Sequence, residues 1–499
     1  MKTINKSIRI ITFRVALLVL FGFMLSQCKK DPMELPKNAS DMVMTDYVYD
    51  NPEFSEFGLV LEYTGVENLL RVRGPYTLFL PTNDAMKAFY ARNNKSSYLD
   101  FDKDFLTDLA YNHILQGPVA AGIIGSGALP YQNALNDDVA SDLIVVNGKS
   151  EIELNKQATI IKRDIKVANG YIHHVDNVLD IVTKTVYEVL KDDGGYTIFV
   201  AGLDECGFND TLVKLEIPFG NIIARCYYTI LAVPDSLYNR EGVQDINALI
   251  AKYDTDGDHK SDTNGFFQYM ENHLLSGTNY FTKFNSKKTI YYLITQNSYL
   301  QIIDEDRVYK VNKGTDDTYT EFYYEQSNVP AKNGCIHTVN SQLPVSNTKP
   351  VEVIFQVTDH FDMQQGEYYH KYYARFYDGE NDFEGIKWDA DYLLYYHKKE
   401  IFLDDDGLNV ISSGYFWIEI TTPKIRKGAY NLSSNHFGGG DGSLNCYIDG
   451  VFYDLIGSGY NNETSIGPIV FTETKEHKIK YESAVSTGLW WDWIKFKPI

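Results

Sequence analysis

Gly74 to Met86 reads GPYTLFLPTNDAM, an apolar run that meets a proline and then Thr82-Asn83-Asp84, a helix-opening sequence. Asn169 to Leu179, NGYIHHVDNVL, is a Gly turn followed by the alternation of a half-buried strand. Both stretches return downstream in the same order, as YTILAVPDSLY at Tyr228–Tyr238 and NGCIHTVNSQL at Asn333–Leu343. Between them, NHILQG at Asn112–Gly117 returns as NHLLSG at Asn272–Gly277. From Thr77 to Thr229 is 152 positions, from Asn112 to Asn272 is 160, and from Asn169 to Asn333 is 164. Small loop insertions explain that slow drift. Three landmarks in fixed order mark an internal duplication.

These residues resemble the two signature segments of the fasciclin domain: a strand running into Pro-Thr-Asn/Asp, and a later Asn-Gly-x-Ile-His strand. The first copy matches both. In the second, Pro234 sits one place later and Asp235-Ser236 replaces Asn83-Asp84. The resemblance implies an α+β fold, with two tandem fasciclin-like domains over 41–183 and 184–347, and a role in adhesion or extracellular interaction instead of catalysis. In such domains a Tyr-His pair has been linked to cell adhesion, and the matching residues are Tyr111-Asn112-His113. Read as a side chain, His113 is a structural hydrogen-bonder packed beneath the signature strands. His173 and His337, at equivalent strand positions, read the same way. Phe54 to Leu70 carries apolar residues at helical spacing broken by Gly65, and Phe101 to Leu115 forms a second amphipathic helix.

A chain of 499 residues is too long for one core and points to about three domains. Its formal net charge of −21 argues against nucleic acid as a partner, because phosphates call for a basic face. The N-terminus carries an address. Lys2, Lys6, Arg9 and Arg14 precede an apolar core, Val15 to Leu25, that is short for a membrane span and fits a secretory signal over 1–27. It ends at Leu25-Ser26-Gln27-Cys28, which resembles a bacterial lipobox; Gln27 stands where a small residue is usual. The resemblance implies acylation of Cys28, a polar tether over 28–40, and a protein anchored by lipid alone at the outer membrane, exposed at the cell surface.

From Ser346 the character changes to short strands with Gly and Asp turns, an all-β sandwich or jelly roll over 348–499. WIEITTPKIRKGAY at Trp417–Tyr430 and GLWWDWIKFKPI at Gly488–Ile499 resemble carbohydrate-binding-module sandwiches. Simple alternation along the last strand groups Trp490, Ile494 and Phe496 on a core face, leaving Trp491 and Trp493 exposed beside Asp492. Tyr369, Tyr373 and Tyr377 form a second strip of rings, alternating with Lys371 and Arg375. These five rings and the one acid are the candidate ligand-binding residues, since flat aromatic faces stack on sugars. Trp417 is expected to anchor the core.

Asp254, Asp256 and Asp258 alternate in DTDGDHKSD, and with Asp262 can converge on Ca²⁺, although Gly265 stands where a bidentate twelfth ligand would be needed. The bland alternative is a solvated acidic loop with no cofactor. Cys206, Cys226, Cys335 and Cys446 lack metal-ligand spacing; Cys206 with Cys226 is the one disulfide worth testing, and Cys335 reads as a core thiol. No G-x-S-x-G, H-E-x-x-H or phosphate-cradling Gly loop is present. The expectation is a non-catalytic surface lipoprotein for adhesion or glycan capture. A structural or protein-interaction role is the alternative, and a cryptic glycan hydrolase comes third.

Overall fold

The computed structural model describes residues 42–72, 74–219, 222–284, 289–295, 298–305, 308–343, 348–358, 367–369, 372–376, 385–396, 407–438, 444–456, 463–483 and 488–499. The signal segment, Cys28 and the tether lie outside the described residues. So does Tyr377, and of Tyr369 and Tyr373 only the backbone is described.

The first unit is a seven-stranded sheet with helices on one side. Its strands are β1 (Tyr76–Pro81), β2 (Ile114–Leu115), β3 (Gly127–Ala128), β4 (Ala140–Val146), β5 (Lys149–Leu154), β6 (Ala158–Val167) and β7 (Gly170–Val175). They lie in the order β2-β1-β7-β6-β5-β4-β3. β1 and β7 run parallel, with Tyr76 opposite Gly170. Parallel strands are stable when covered on both faces, and these two are. Leu78, Leu80 and Ile172 pack under the helices Ser55–Thr64, Asn83–Arg92 and Lys103–Asn112. Phe79, Leu115 and Val175 face a second core with Val139, Ile152, Leu154 and Ile160. The helical stretch read over Phe54–Leu70 is split at Gly65, whose φ of +81° makes a left-handed cap.

The second unit repeats this plan. A hairpin of β8 (Glu216–Phe219) and β9 (Ile222–Arg225) precedes β10 (Tyr228–Ala232), β11 (Leu274–Ser276), β12 (Ile290–Tyr292), β13 (Tyr299–Glu305), β14 (Val308–Lys313), β15 (Tyr319–Tyr323), β16 (Val329–Ala331) and β17 (Gly334–Val339). The order is β11-β10-β17-β15-β14-β13-β12, and Tyr228 lies opposite Gly334 in the parallel β10–β17 pair. The first-unit edge β3–β4 abuts this unit. Asp142 accepts a hydrogen bond from Asn328 Nδ2 at 2.9 Å and pairs with Lys156 at 3.0 Å, while Lys332 reaches Asp137 at 2.7 Å. Ala140, Tyr280 and Cys335 form a small apolar cluster across the junction.

The third unit is a sandwich of two sheets. Its strands are β18 (Val353–Gln356), β19 (Glu367–Tyr369), β20 (Tyr372–Phe376), β21 (Ile386–Asp389), β22 (Tyr392–Tyr396), β23 (Gly407–Ile411), β24 (Phe416–Thr421), β25 (Gly428–Gly438), β26 (Leu444–Ile448), β27 (Val451–Ile456), β28 (Glu463–Phe471), β29 (Lys478–Ser483) and β30 (Gly488–Pro498). The larger sheet runs β19-β20-β22-β23-β30-β25-β28 with β18 also on β30; the smaller runs β21-β24-β29-β26-β27. Trp388, Ile418, Ile479 and Tyr481 of the smaller sheet share one core with Val353, Val410, Leu432, Trp491 and Phe496 of the larger.

Candidate binding face of the C-terminal sandwich

The expected ring platform on the last strand is inside the protein. Trp491 is fully buried, stacked on Tyr481 at 4.3 Å, and its Nε1 donates to Ser434 Oγ at 3.2 Å. Trp493 and Asp492 are buried as well. The cause is a β-bulge. Asn435 of β25 pairs with Trp493, but His436, the next residue, pairs with Trp491, so Asp492 is the extra residue. One inserted residue reverses which side chains face inward, so Leu489 and Trp491 point to the core before the bulge, and Ile494 and Phe496 after it. Asn435 Nδ2 donates to the Asp492 carboxylate at 3.0 Å and Val357 N–H donates to its carbonyl at 3.0 Å, which hold the bulge in place. Trp490, assigned to the core by alternation, is half-buried and stacked on Tyr396 at 5.0 Å.

Trp417 is corrected the other way. In β24, Phe416, Ile418 and Ile420 are buried, which turns Trp417 and Glu419 to the outside of the smaller sheet. Register then gathers a surface. Trp417 lies opposite Glu482, and Tyr447 opposite both Lys480 and Phe452. Lys480 Nζ sits 4.8 Å from the Trp417 ring centre and 5.5 Å from that of Tyr447, and it pairs with Glu482 at 2.7 Å. Phe452, 54% exposed, meets Tyr447 edge-on at 5.7 Å. Tyr415 is exposed at the same end, and its phenol pKa is raised by burial of the hydroxyl and by Glu482. Rings here offer flat apolar faces, and Glu482, Lys480 and Glu419 offer hydrogen-bonding groups around them. The signal was legible in FWIEIT, a strict apolar-in alternation that places Trp417 outward with Glu419.

The acidic loop brings two of its four carboxylates together, on the Asn264 side chain. Asp254 accepts from the Gly257 amide at 2.9 Å and Asn264 Nδ2 at 2.7 Å, and Asp256 accepts from the Asp258 amide at 3.0 Å and the same Asn264 nitrogen at 2.6 Å. Asp258 turns back on the Lys260 amide, and Asp262 uses its carbonyl to receive Gln268. These bonds, that from Asn264 foremost, hold the Asp254 carboxyl at about 2. Among the described residues no group of three or more His, Cys, Asp or Glu could hold a metal ion. An amide nitrogen stands where the expected cation would. Cys206 and Cys226, the pair considered for a disulfide, are free buried thiols, as are Cys335 and Cys446.

The histidines of the duplicated segments are internal. His113 is fully buried; its Nδ1 lies 2.7 Å from the Phe79 carbonyl and its Nε2 accepts from the Leu179 amide at 3.1 Å. Burial pushes its pKa down to about 4, so it is neutral and has no face for a partner. His173 and His337 are buried on β7 and β17, with Nε2 against the carbonyls of Val119 and Asn279 at 2.8 Å and 2.9 Å.

Residues 52–182 match the family model of the fasciclin domain. Protein sll1483 of Synechocystis sp. is 29% identical over 141 residues, which are 28% of this chain and 74% of that protein. Among solved structures, the FAS1 domain pair of the insect cell adhesion molecule fasciclin I aligns over 59% of this chain and 97% of that one, at 17% identity and a TM-score of 0.27. A family 35 carbohydrate binding module from Clostridium thermocellum aligns over 30% of this chain and 98% of that one, at 14% identity and a TM-score of 0.18. Scores that low carry no inference about ligand or mechanism. The family match stands on its own: residues 52–182 are a fasciclin domain.

Proposed function

We propose that this chain is a non-catalytic surface lipoprotein of the outer membrane, anchored through Cys28, in which two fasciclin domains carry a sandwich that binds glycan. The second unit is then a divergent fasciclin domain. Its support is the shared strand order, the matching parallel register and the reuse of the same buried polar residues. The observation that carries the binding role is the outer face of the smaller sheet, where Trp417, Tyr447, Phe452 and Tyr415 surround the Lys480–Glu482 pair. A sugar on Trp417 has to swing Lys480 aside. That is inexpensive, because an exposed cation–ring contact and a surface ion pair are each worth about 1 kcal/mol or less.

The test compares Trp417→Ala, Tyr447→Ala and Trp491→Ala in the mature chain, by retention on immobilised polysaccharides and by thermal melting. If each stacked ring contributes about 1 kcal/mol, the two surface variants lose retention several-fold and keep their melts. Trp491→Ala should cost about 3–5 kcal/mol by emptying the core. Unchanged retention in both surface variants sinks the glycan face. Val451 at 70% and Val470 at 69% exposure favour a second reading, contact with a protein, because bare aliphatic side chains suit a polypeptide better than a hydroxylated sugar. Capture of a surface protein by wild type with no polysaccharide retained would select it. For the anchor, mass spectrometry of the mature protein should find an acylated Cys28, and an unmodified N-terminus elsewhere would refute it.

A further inference from the structure

The second unit and the sandwich meet around a cleft of about 460 Å³. That volume is in the range of small-molecule sites, about 300–1,000 Å³. The second unit contributes Glu271 from the end of the helix Gly265–Glu271, Tyr299 from β13 and Asn312 from β14; the sandwich contributes Lys424, Arg426 and Lys427 ahead of β25. None of these residues belongs to the outer face described above.

Arg426 is the unusual member. It is only 6% exposed, its guanidinium donates to the Lys349 carbonyl at 2.9 Å and to Asn312 Oδ1 at 2.8 Å, and it lies over the Tyr299 ring at 5.3 Å. Among the described residues no carboxylate pairs with it. A guanidinium has five N–H donors and a buried charge ordinarily has a counter-ion, so this one is supplied with neutral acceptors and left with capacity for an anion. Tyr299, 3% exposed, lines the cleft with its ring beneath Arg426, and its hydroxyl is shut off from solvent beside the Arg426 backbone amide. Lys424 and Lys427 place two more cations there. Of the acids, Glu271 is 2% exposed, receives the Thr295 hydroxyl, and has its pKa raised by burial, which favours the uncharged form; Glu473 stands at the lining as the other carboxylate. The cleft is therefore locally cationic in a chain of net charge −21.

We propose that this cleft binds a small ligand carrying a carboxylate, of the size of an acidic sugar, with the carboxylate held by Arg426 and Lys424. The planar fork of arginine matches a carboxylate, and Glu473 disfavours the greater charge of a phosphate dianion. Because the lining comes from two units, an occupied cleft also ties the sandwich to the second unit.

The experiment titrates the mature full-length chain with sodium glucuronate, glucose and inorganic phosphate by calorimetry, and repeats it with Lys424→Ala/Lys427→Ala and with Arg426→Lys. The expected result is saturable binding of glucuronate, weakened at least tenfold in the double variant, which melts like wild type, and several-fold in Arg426→Lys. Arg426→Lys keeps the charge and loses the planar fork, so its loss of binding would report the guanidinium. Absence of saturable glucuronate binding at millimolar concentration overturns the proposal, as does unchanged affinity in both variants. Equal or tighter binding of glucose or phosphate overturns the carboxylate assignment. All of these outcomes leave polysaccharide retention through Trp417 untouched, so the two readings fail separately.

Discussion

In the first unit the Asn169 side chain accepts from the Met44 amide at 3.0 Å and donates to the carbonyls of Leu70 and Val72 at 2.7 Å and 3.2 Å. In the second, Asn333 accepts from Val186 at 2.9 Å and donates to Leu212 and Lys214 at 2.8 Å and 2.9 Å. The correspondence continues. Thr77 donates to the Gly117 carbonyl and receives the Val119 amide; Thr229 does the same with Gly277 and Asn279. Asn112 donates to Leu179 and Asn272 to Leu343. The equivalence holds even where the residue type has changed. Asn83 accepts from the Glu56 amide at the start of one helix, and Asp235 from Thr197 and Ile198 at the start of its counterpart. What differs is everything around this frame. The repeated residues are a hydrogen-bonding frame for a parallel strand pair, and an interaction role must be sought outside them.

The strongest way to break the equivalence is at its glycines. Gly170 has φ of +141° and Gly334 of +144°, and an added Cβ would lie 1.9 Å from the Tyr76 carbonyl oxygen in one case and 1.7 Å from that of Tyr228 in the other. Neither carbonyl can retreat, because each belongs to the central strand. Gly170→Val and Gly334→Val should each cost more than about 4 kcal/mol, combining a forbidden backbone region with a backbone clash. Hydrogen exchange resolved by segment should show the mutated unit losing protection. If one glycine tolerates valine, the two units are not built alike at their centre.

The landmarks that expose this frame were legible because each is local: a strand with its turn, or a helix end, within about ten residues. The sandwich face was not, for a physical reason. Side-chain direction in β30 depends on one bulge residue, Asp492, and what fixes the bulge is Asn435, which is remote in sequence. Alternation read through the bulge exposes the wrong tryptophans. The acidic loop misled differently. Its alternating aspartates are real, but Asx-type turns and Asn264 engage one oxygen of Asp254 and one of Asp256, and only these two carboxylates meet. The cleft under Arg426 was beyond reach, since its lining comes from separate segments of two units.

A second prediction sharpens the comparison by pH. His113 in the first unit, and His273 and His337 in the second, are fully buried with pKa values pushed down to about 4 by burial. In the unfolded chain a histidine titrates near ~6.5. Between these values the unfolded state binds more protons, so stability falls as pH drops from about 6.5 toward 4 and is level above that window. Each group can contribute up to about 3 kcal/mol to the loss. Both units should therefore lose exchange protection over the same window, and His113→Asn should make the profile of the first unit alone shallower without removing it, because His173 and His174 also have their pKa lowered by burial there. A unit whose protection stays constant as pH falls from about 6.5 to about 4 holds no neutral buried histidine.

The smallest expected effect lies where the two frames diverge. His113 bridges two segments, with Nδ1 against the Phe79 carbonyl at 2.7 Å and Nε2 receiving the Leu179 amide at 3.1 Å. Its counterpart His273 turns Nδ1 back to the Tyr269 carbonyl of its own helix at 2.9 Å, and its Nε2 is buried with no partner. Aromatic packing holds it instead, edge-on to Phe199 at 5.5 Å and to Tyr269 at 4.9 Å. Replacing His113 by leucine strands a buried amide and a carbonyl, which costs about 1–3 kcal/mol beyond any change in packing. Replacing His273 by leucine removes an orphan nitrogen along with one bond to a helical carbonyl, so gain and loss nearly offset. His113→Leu should therefore destabilise its unit by about 1–2 kcal/mol more than His273→Leu destabilises the other, read from segment-resolved exchange at neutral pH. Equal losses would mean that His273 also spans two segments in solution, and the frame would then be the same in both units down to its histidines. A gain in stability for His273→Leu would mark the second unit as the one that retains the residue without using its second nitrogen.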